Sequence, residues 1–216
     1  MILRIYQYMG PLVLTPLSFW LWWRQYHNIT QVLTAWLLPI LYAYIVPAVG
    51  TNVCKVWEFD VRWKLGRFRP HHGFVFGSAA AMIAWLVHGS SAKGIGDVLR
   101  YALVLCSVQG FWNLLYEVKA LRIGLLKVYN QPWANGQGEE AIAFDYAPWF
   151  FGIFGAVHGL AIAGLEFLTR IAPLSPGRNA LYFILSLFFC IALPVLCYIG
   201  HSFRRHGHSG TRPAKK

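Results

Sequence analysis

At 216 residues the chain is long enough for one sizeable domain, yet only 12% of its residues are charged, while 57% are hydrophobic and 17% aromatic. Too few charges remain to cover a soluble surface, and several apolar runs approach the roughly 20 residues needed to cross a bilayer core. The formal net charge of +11 does not indicate nucleic acid, because the basic residues lie in short loops between apolar runs, as membrane topogenesis requires. Anionic lipid head groups are the expected counter-charge. The four cysteines, Cys54, Cys106, Cys190 and Cys197, form no C-x-x-C pair, which excludes zinc-finger and disulfide-framework readings.

The first apolar run, residues 8–23, is short and contains Pro11 and Pro16, with Trp20, Trp22 and Trp23 at its far end. Trp clusters favour the membrane–water interface. No cleavage pattern is present, so this run is expected to remain as an anchor. After a polar turn at Arg24–Asn28, a second span covers 30–50, with Pro39 and Pro47 tolerable where neighbouring helices satisfy the freed backbone groups. Residues 55–73 then concentrate seven formal charges. Apolar and charged residues alternate over 57–65, which is strand-like. However, Glu58 with Arg62 and Asp60 with Lys64 are spaced i,i+4, acid first, the favourable order on a helix, and a lone strand would leave its edges unpaired. The segment is therefore predicted as a short amphipathic helix lying in the interface, ended at Gly66 and before Pro70.

The third span, 72–87, is small-faced through Gly73, Gly77, Ser78 and Ala79–Ala81, which permits close helix approach. The fourth, 98–116, places Gln109, Asn113 and the adjoining Glu117 on one face by their i,i+4,i+8 spacing. Residues 118–146 form the longest non-spanning piece. It starts amphipathic, passes a turn-rich stretch at 130–138, and reaches Glu139, Glu140 and Asp145. The fifth span, 148–168, carries His158 near its middle and Glu166 near its far end. The sixth is 180–199.

The predicted fold is therefore all-α: an integral membrane bundle of about six transmembrane helices with one interfacial helix between spans two and three. Residues 1–202 are expected to form a single transmembrane domain, and 203–216 a basic, disordered cytoplasmic tail. With both termini on one side, fourteen of the nineteen Lys and Arg residues fall on that side, which assigns it to the cytoplasm. No inverted repeat of the transporter kind is evident.

Three polar groups are candidates for chemistry. In the first, Arg67 and Arg69 suit a phosphate- or carboxylate-headed amphiphile, and the adjacent His71 and His72 suit proton transfer; without chemistry, the same charges would only orient the chain and hold lipid heads. In the second, Gln109, Asn113, Glu117 and His158 lie at membrane depth, where polar groups are costly and a functional role is the default; the alternative is an interhelical hydrogen bond. In the third, Glu139, Glu140 and Asp145 face the basic mouth, where carboxylates would hold Mg²⁺ on a diphosphate substrate or balance local charge. The R-F-R-P-H-H-G stretch resembles the Arg-Pro motif of membrane phosphatases, but their P-S-G-H motif and later S-R…H set are absent, which excludes that activity. No nucleophile signature such as G-x-S-x-G is present, and no spacing defines a metal or haem site.

The expected function is a membrane-embedded enzyme acting on a lipid or isoprenoid by intramembrane acid/base chemistry, such as cyclisation, isomerisation or transfer. His158, Glu117, Asp145, His71 and His72 are the expected proton-transfer residues. Arg67, Arg69, Asn113, Gln109, Glu139 and Glu140 are the expected substrate-binding residues. Its partners would be membrane lipids and a hydrophobic small molecule. The competing readings are a non-catalytic subunit of a membrane protein complex or a small carrier, and a metal-dependent oxidase.

Overall fold

The computed structural model describes residues 2–215. The chain is mostly helical, 76% helix against 4% strand. Its elements are α1 (Ile2–Tyr26), α2 (Ile29–Ala48), β1 (Trp57–Phe59), α3 (His72–His88), α4 (Ile95–Arg122), β2 (Leu126–Val128), α5 (Gln131–Ala134), α6 (Glu139–Ala147), α7 (Phe154–Ile171) and α8 (Pro176–His206). Two widened, π-helical turns extend these rods. Val49–Val53 prolongs α2 just beyond Pro47, and Pro148–Ile153 joins α6 to α7. The first follows Pro47 and the second begins at Pro148, and a proline removes a backbone donor and displaces the hydrogen-bond ladder. The freed groups find other partners: the Thr51 hydroxyl donates to the Pro47 carbonyl at 2.7 Å, and the Tyr42 hydroxyl donates to the Phe150 carbonyl at 2.7 Å.

Four rods are long and apolar enough to cross a membrane: Ile29–Val53, Ile95–Arg122, Glu139–Ile171 and Pro176–His206. The last of these turns large apolar side chains outward, among them Ile184, Phe188 and Leu196, each about 60% exposed. Such a surface suits lipid and not water.

Successive rods run in opposite directions, and each end of the bundle has its own fastening. At one end Glu166 of α7 collects three donors. The His88 ring nitrogen Nε2 lies 2.7 Å from its Oε1, the Tyr26 hydroxyl donates to the same oxygen at 2.6 Å, and the Ala92 amide donates to Oε2 at 2.9 Å. This ties α1, α3, α7 and the turn before α4 together. The other end carries both termini, 55–71 and 118–146.

The charged loop differs from expectation. It contains no helix over 57–65. Instead β1 pairs antiparallel with β2, in the register Trp57↔Val128, Glu58↔Lys127 and Phe59↔Leu126. The alternation marks a strand over its first part only: Phe59 and Val61 are buried while Asp60 and Arg62 are exposed, but Trp63 and Leu65 are exposed too. The i,i+4 pairs are not made. Glu58 accepts from Lys64 at 3.5 Å and from the Tyr129 hydroxyl at 3.0 Å. Burial pushes Glu58 up, but these two hydrogen bonds and the positive charges of Lys64 and Arg67 together outweigh it and hold the carboxyl below its usual range.

The 203–216 segment also departs from the expected disorder. Helix α8 runs on to His206, Gly207 closes it at φ 78°, and the chain folds back so that the Ala214 amide donates to the Tyr129 carbonyl at 2.9 Å.

Glycines set the closest helix contacts. A Cβ at Gly159 of α7 would lie 2.8 Å from the Ala102 Cα of α4, and one at Gly155 would lie 2.6 Å from the Leu105 carbonyl oxygen. On α3, a Cβ at Gly77 would lie 2.5 Å from the Ile40 Cα of α2, so the small face packs as its composition indicates. Gly159→Leu is expected to cost about 1–3 kcal/mol or more, since backbone and not a flexible side chain must move. Thermal unfolding in detergent checks this, and an unchanged midpoint would contradict the packing.

Candidate functional site

The loop that follows β1 delivers one residue into the bundle. Leu65 and Phe68 bridge across a tight turn with Gly66 at φ 66°, and Asn52 fastens the turn by accepting from the Arg67 amide at 2.9 Å. The chain emerging from this turn points Arg69 inward, where it is 1% exposed. Pro70 then precedes α3.

Arg69 stands at the polar end of a cavity of about 430 Å³ enclosed by α1, α2, α3, α4 and the α6–α7 rod. The stem of this cavity follows one face of α3, through Val75, Phe76, Ala79, Ile83 and Leu86. That i,i+3,i+4 succession is the helical repeat. From His72 to Leu86 it covers about 21 Å at about 1.5 Å per residue. Helices α1 and α4 both pack on α3 but scarcely touch each other, so the cavity opens sideways between them. Trp112 and Leu86 stand at that opening, 61% and 66% exposed.

The polar end is assembled from four helices and the loop. Arg69 donates through Nη1 to Gln7 Oε1 at 3.2 Å and through Nη2 to His72 Nδ1 at 2.7 Å, and its guanidinium sits 4.8 Å over the Phe59 ring. Because His72 accepts at Nδ1, it is neutral. On the facing wall, the Tyr146 hydroxyl donates to Glu117 Oε2 in a short hydrogen bond. Asn113 lies one turn from Glu117 and donates to the Gln109 carbonyl at 2.8 Å. Tyr6 and Tyr116 complete the wall, their rings meeting edge to face at 6.2 Å.

The structure thus brings together Arg69, His72, Asn113 and Glu117 of the predicted set. Gln109 lies below them between helices, its Nε2 donating to the Ala80 carbonyl at 3.2 Å. His158 does not line the cavity. It is fully buried behind it, stacked on Phe154, with Nε2 3.2 Å from the Ala35 carbonyl oxygen.

Asp145 is also elsewhere. It lies 2.7 Å from His206 Nε2, 3.1 Å from Asn130 Nδ2 and 3.8 Å from Arg205, and so holds the end of α8. Arg67 donates to the Lys55 carbonyl at 3.1 Å on the outer side of the loop. His71 rests against the Tyr8 ring, with burial and then Arg69 pushing its pKa down. Glu140 pairs with Arg122 at the surface and Glu139 opens α6. Among the described residues no three His, Cys, Asp or Glu side chains converge as metal ligands.

Tyr146 and Tyr116 escaped the sequence reading, since tyrosine in an apolar run carries no polarity signal. The one available sign was adjacency: each follows or precedes an acidic residue, Asp145 and Glu117.

Comparison with protein-family models, with curated proteins and with solved structures found no significant match to this chain.

The geometry gives Asp145 a holding role. Asp145→Ala is therefore expected to loosen the end of α8 and the segment behind it, seen as faster trypsin cleavage at Arg204 and Arg205 than in the wild-type protein. Equal cleavage rates in both would show that the clasp does not hold the tail.

Proposed function

We propose that this chain is a membrane-embedded enzyme that admits a lipid or isoprenoid chain sideways from the bilayer and performs acid/base chemistry on its polar end. The reading includes six membrane crossings. Helices α1 and α3 then join the four longer rods, and the basic end of the bundle, with both termini, faces the cytoplasm. The observation that carries the reading is the cavity: an apolar stem the length of α3, open to lipid, ending at buried polar groups.

In this reading the stem takes the hydrocarbon, since burying apolar surface contributes roughly 25 cal/mol per Å². Arg69 fixes the head, with Phe59, Gln7 and His72 holding the guanidinium in place. Glu117 and Tyr146 form the proton-transferring pair. Glu117 takes a proton from the substrate or gives one to it, and the Tyr146 hydroxyl steadies the carboxylate when it is charged. The apolar walls exclude water, which strengthens every polar contact inside. Cyclisation, isomerisation and group transfer all need such a positioned donor and acceptor, and none needs a nucleophilic Ser or Cys.

Incubating the purified protein with a total lipid extract should convert one lipid class, seen as a paired loss and gain by mass spectrometry. Glu117→Gln should slow that conversion by about 10²–10⁴-fold, the usual contribution of a positioned acid/base group, with lipid binding retained. Binding without any conversion by the wild-type protein would favour a carrier over an enzyme, and undiminished conversion by Glu117→Gln would remove Glu117 from the chemistry.

A further inference from the structure

The head group that the cavity accepts is written in its charge balance, and this inference rests on the reading of the cavity as a chain-binding site. Arg69 is 1% exposed, and both of its hydrogen-bond acceptors, Gln7 Oε1 and His72 Nδ1, are neutral. Among the described residues no carboxylate lies within ion-pair distance of it. A buried guanidinium without a counter-ion is costly, and the Phe59 ring offsets only part of that cost.

Two donors are also left over. Arg69 Nε and the Tyr116 hydroxyl are buried without any hydrogen-bond partner. The two groups lie beside each other, and both residues belong to the cavity wall. Two neighbouring, unsatisfied donors, one of them charged, call for a ligand that accepts twice and carries negative charge.

The amount of negative charge is limited as well. Among the described residues lining the cavity, Arg69 is the one Lys or Arg. Glu117 on the facing wall is acidic and already takes the Tyr146 proton donor. A diphosphate would bring several negative charges to one guanidinium, next to a carboxyl group. It would also lack a cluster of acids to hold a divalent cation, since Glu140 and Asp145 are engaged elsewhere and Glu139 does not line the cavity.

We infer that the cavity binds a single-chain amphiphile with a monoanionic carboxylate head, one oxygen accepting from Arg69 Nε and the other from the Tyr116 hydroxyl, with the chain along α3. Straight-chain fatty acids and carboxylated isoprenoids share this chemistry, and the volume of about 430 Å³ suits one chain and not two.

Trp57 and Trp112 line the cavity, so intrinsic fluorescence reports its occupation. The full-length protein in zwitterionic nanodiscs is titrated with hexadecanoate, hexadecanol, farnesoate, farnesol and farnesyl diphosphate. A carboxylate should bind at least about tenfold more tightly than its alcohol, because it adds a charge-assisted bond to Arg69, and farnesoate should bind more tightly than farnesyl diphosphate. The relative affinity of hexadecanoate and farnesoate identifies the chain. Arg69→Gln should remove the carboxylate preference while leaving alcohol binding unchanged. Tyr116→Phe, which keeps the ring and the fold, should weaken carboxylate binding alone.

Equal binding of acid and alcohol, tighter binding of the diphosphate, or a preference unaffected by both substitutions would overturn the carboxylate head but leave the chain-binding cavity standing. Failure of every chain to bind would remove the cavity reading itself.

Discussion

One buried cation constrains this molecule more than any other group. Arg69 sits inside an apolar bundle with neutral partners, a placement that folding alone disfavours. Much of the surrounding structure exists to put it there. The β1–β2 pair, the Gly66 turn and the Asn52 clamp shape a loop that delivers one guanidinium inward while Arg62 and Lys64 stay outside. A topogenic loop needs positive charge on its surface only. Burial of Arg69 therefore calls for a reason beyond orientation, and the proposed binding of an acidic head group in the cavity would supply one.

The two ends of the bundle use buried acids differently. At the end away from the cavity, Glu166 is fully engaged by Tyr26, His88 and the Ala92 amide. It acts as a rivet, and nothing about it is left unsatisfied. At the cavity end, Asp145 is similarly consumed in holding α8. Among the described residues Glu117 is the acid that lines this cavity, with a single donor from Tyr146. Buried polar groups without partners call for an explanation, and two of them, Arg69 Nε and the Tyr116 hydroxyl, stand on the wall of this cavity.

Much of this was legible in the sequence, and what was not has definite causes. Helical spacing placed Asn113 and Glu117 on one face, and the structure turns both into the cavity. The cluster at 67–72 contained the right residues, but sequence alone cannot say that Arg67 turns out and Arg69 turns in, because that depends on the Gly66 turn. The strand was set aside for want of a partner; the partner is Leu126–Val128, too far along the chain for local pattern to reveal. The tail was read as disordered from its composition, while its ties to Tyr129, Gln131 and Asp145 are tertiary. His158 stood out as a mid-span polar residue, but that it faces α2 and not the cavity depends on how α7 packs in the bundle, which spacing along α7 does not reveal.

Native mass spectrometry of the protein released from its own membrane tests the central claim most directly. The account predicts one tightly held single-chain molecule per protein in the wild type, and its loss in Arg69→Gln when the folded charge-state distribution is unchanged. A wild-type protein released empty, or carrying only two-chain phospholipids that Arg69→Gln retains equally, would contradict it.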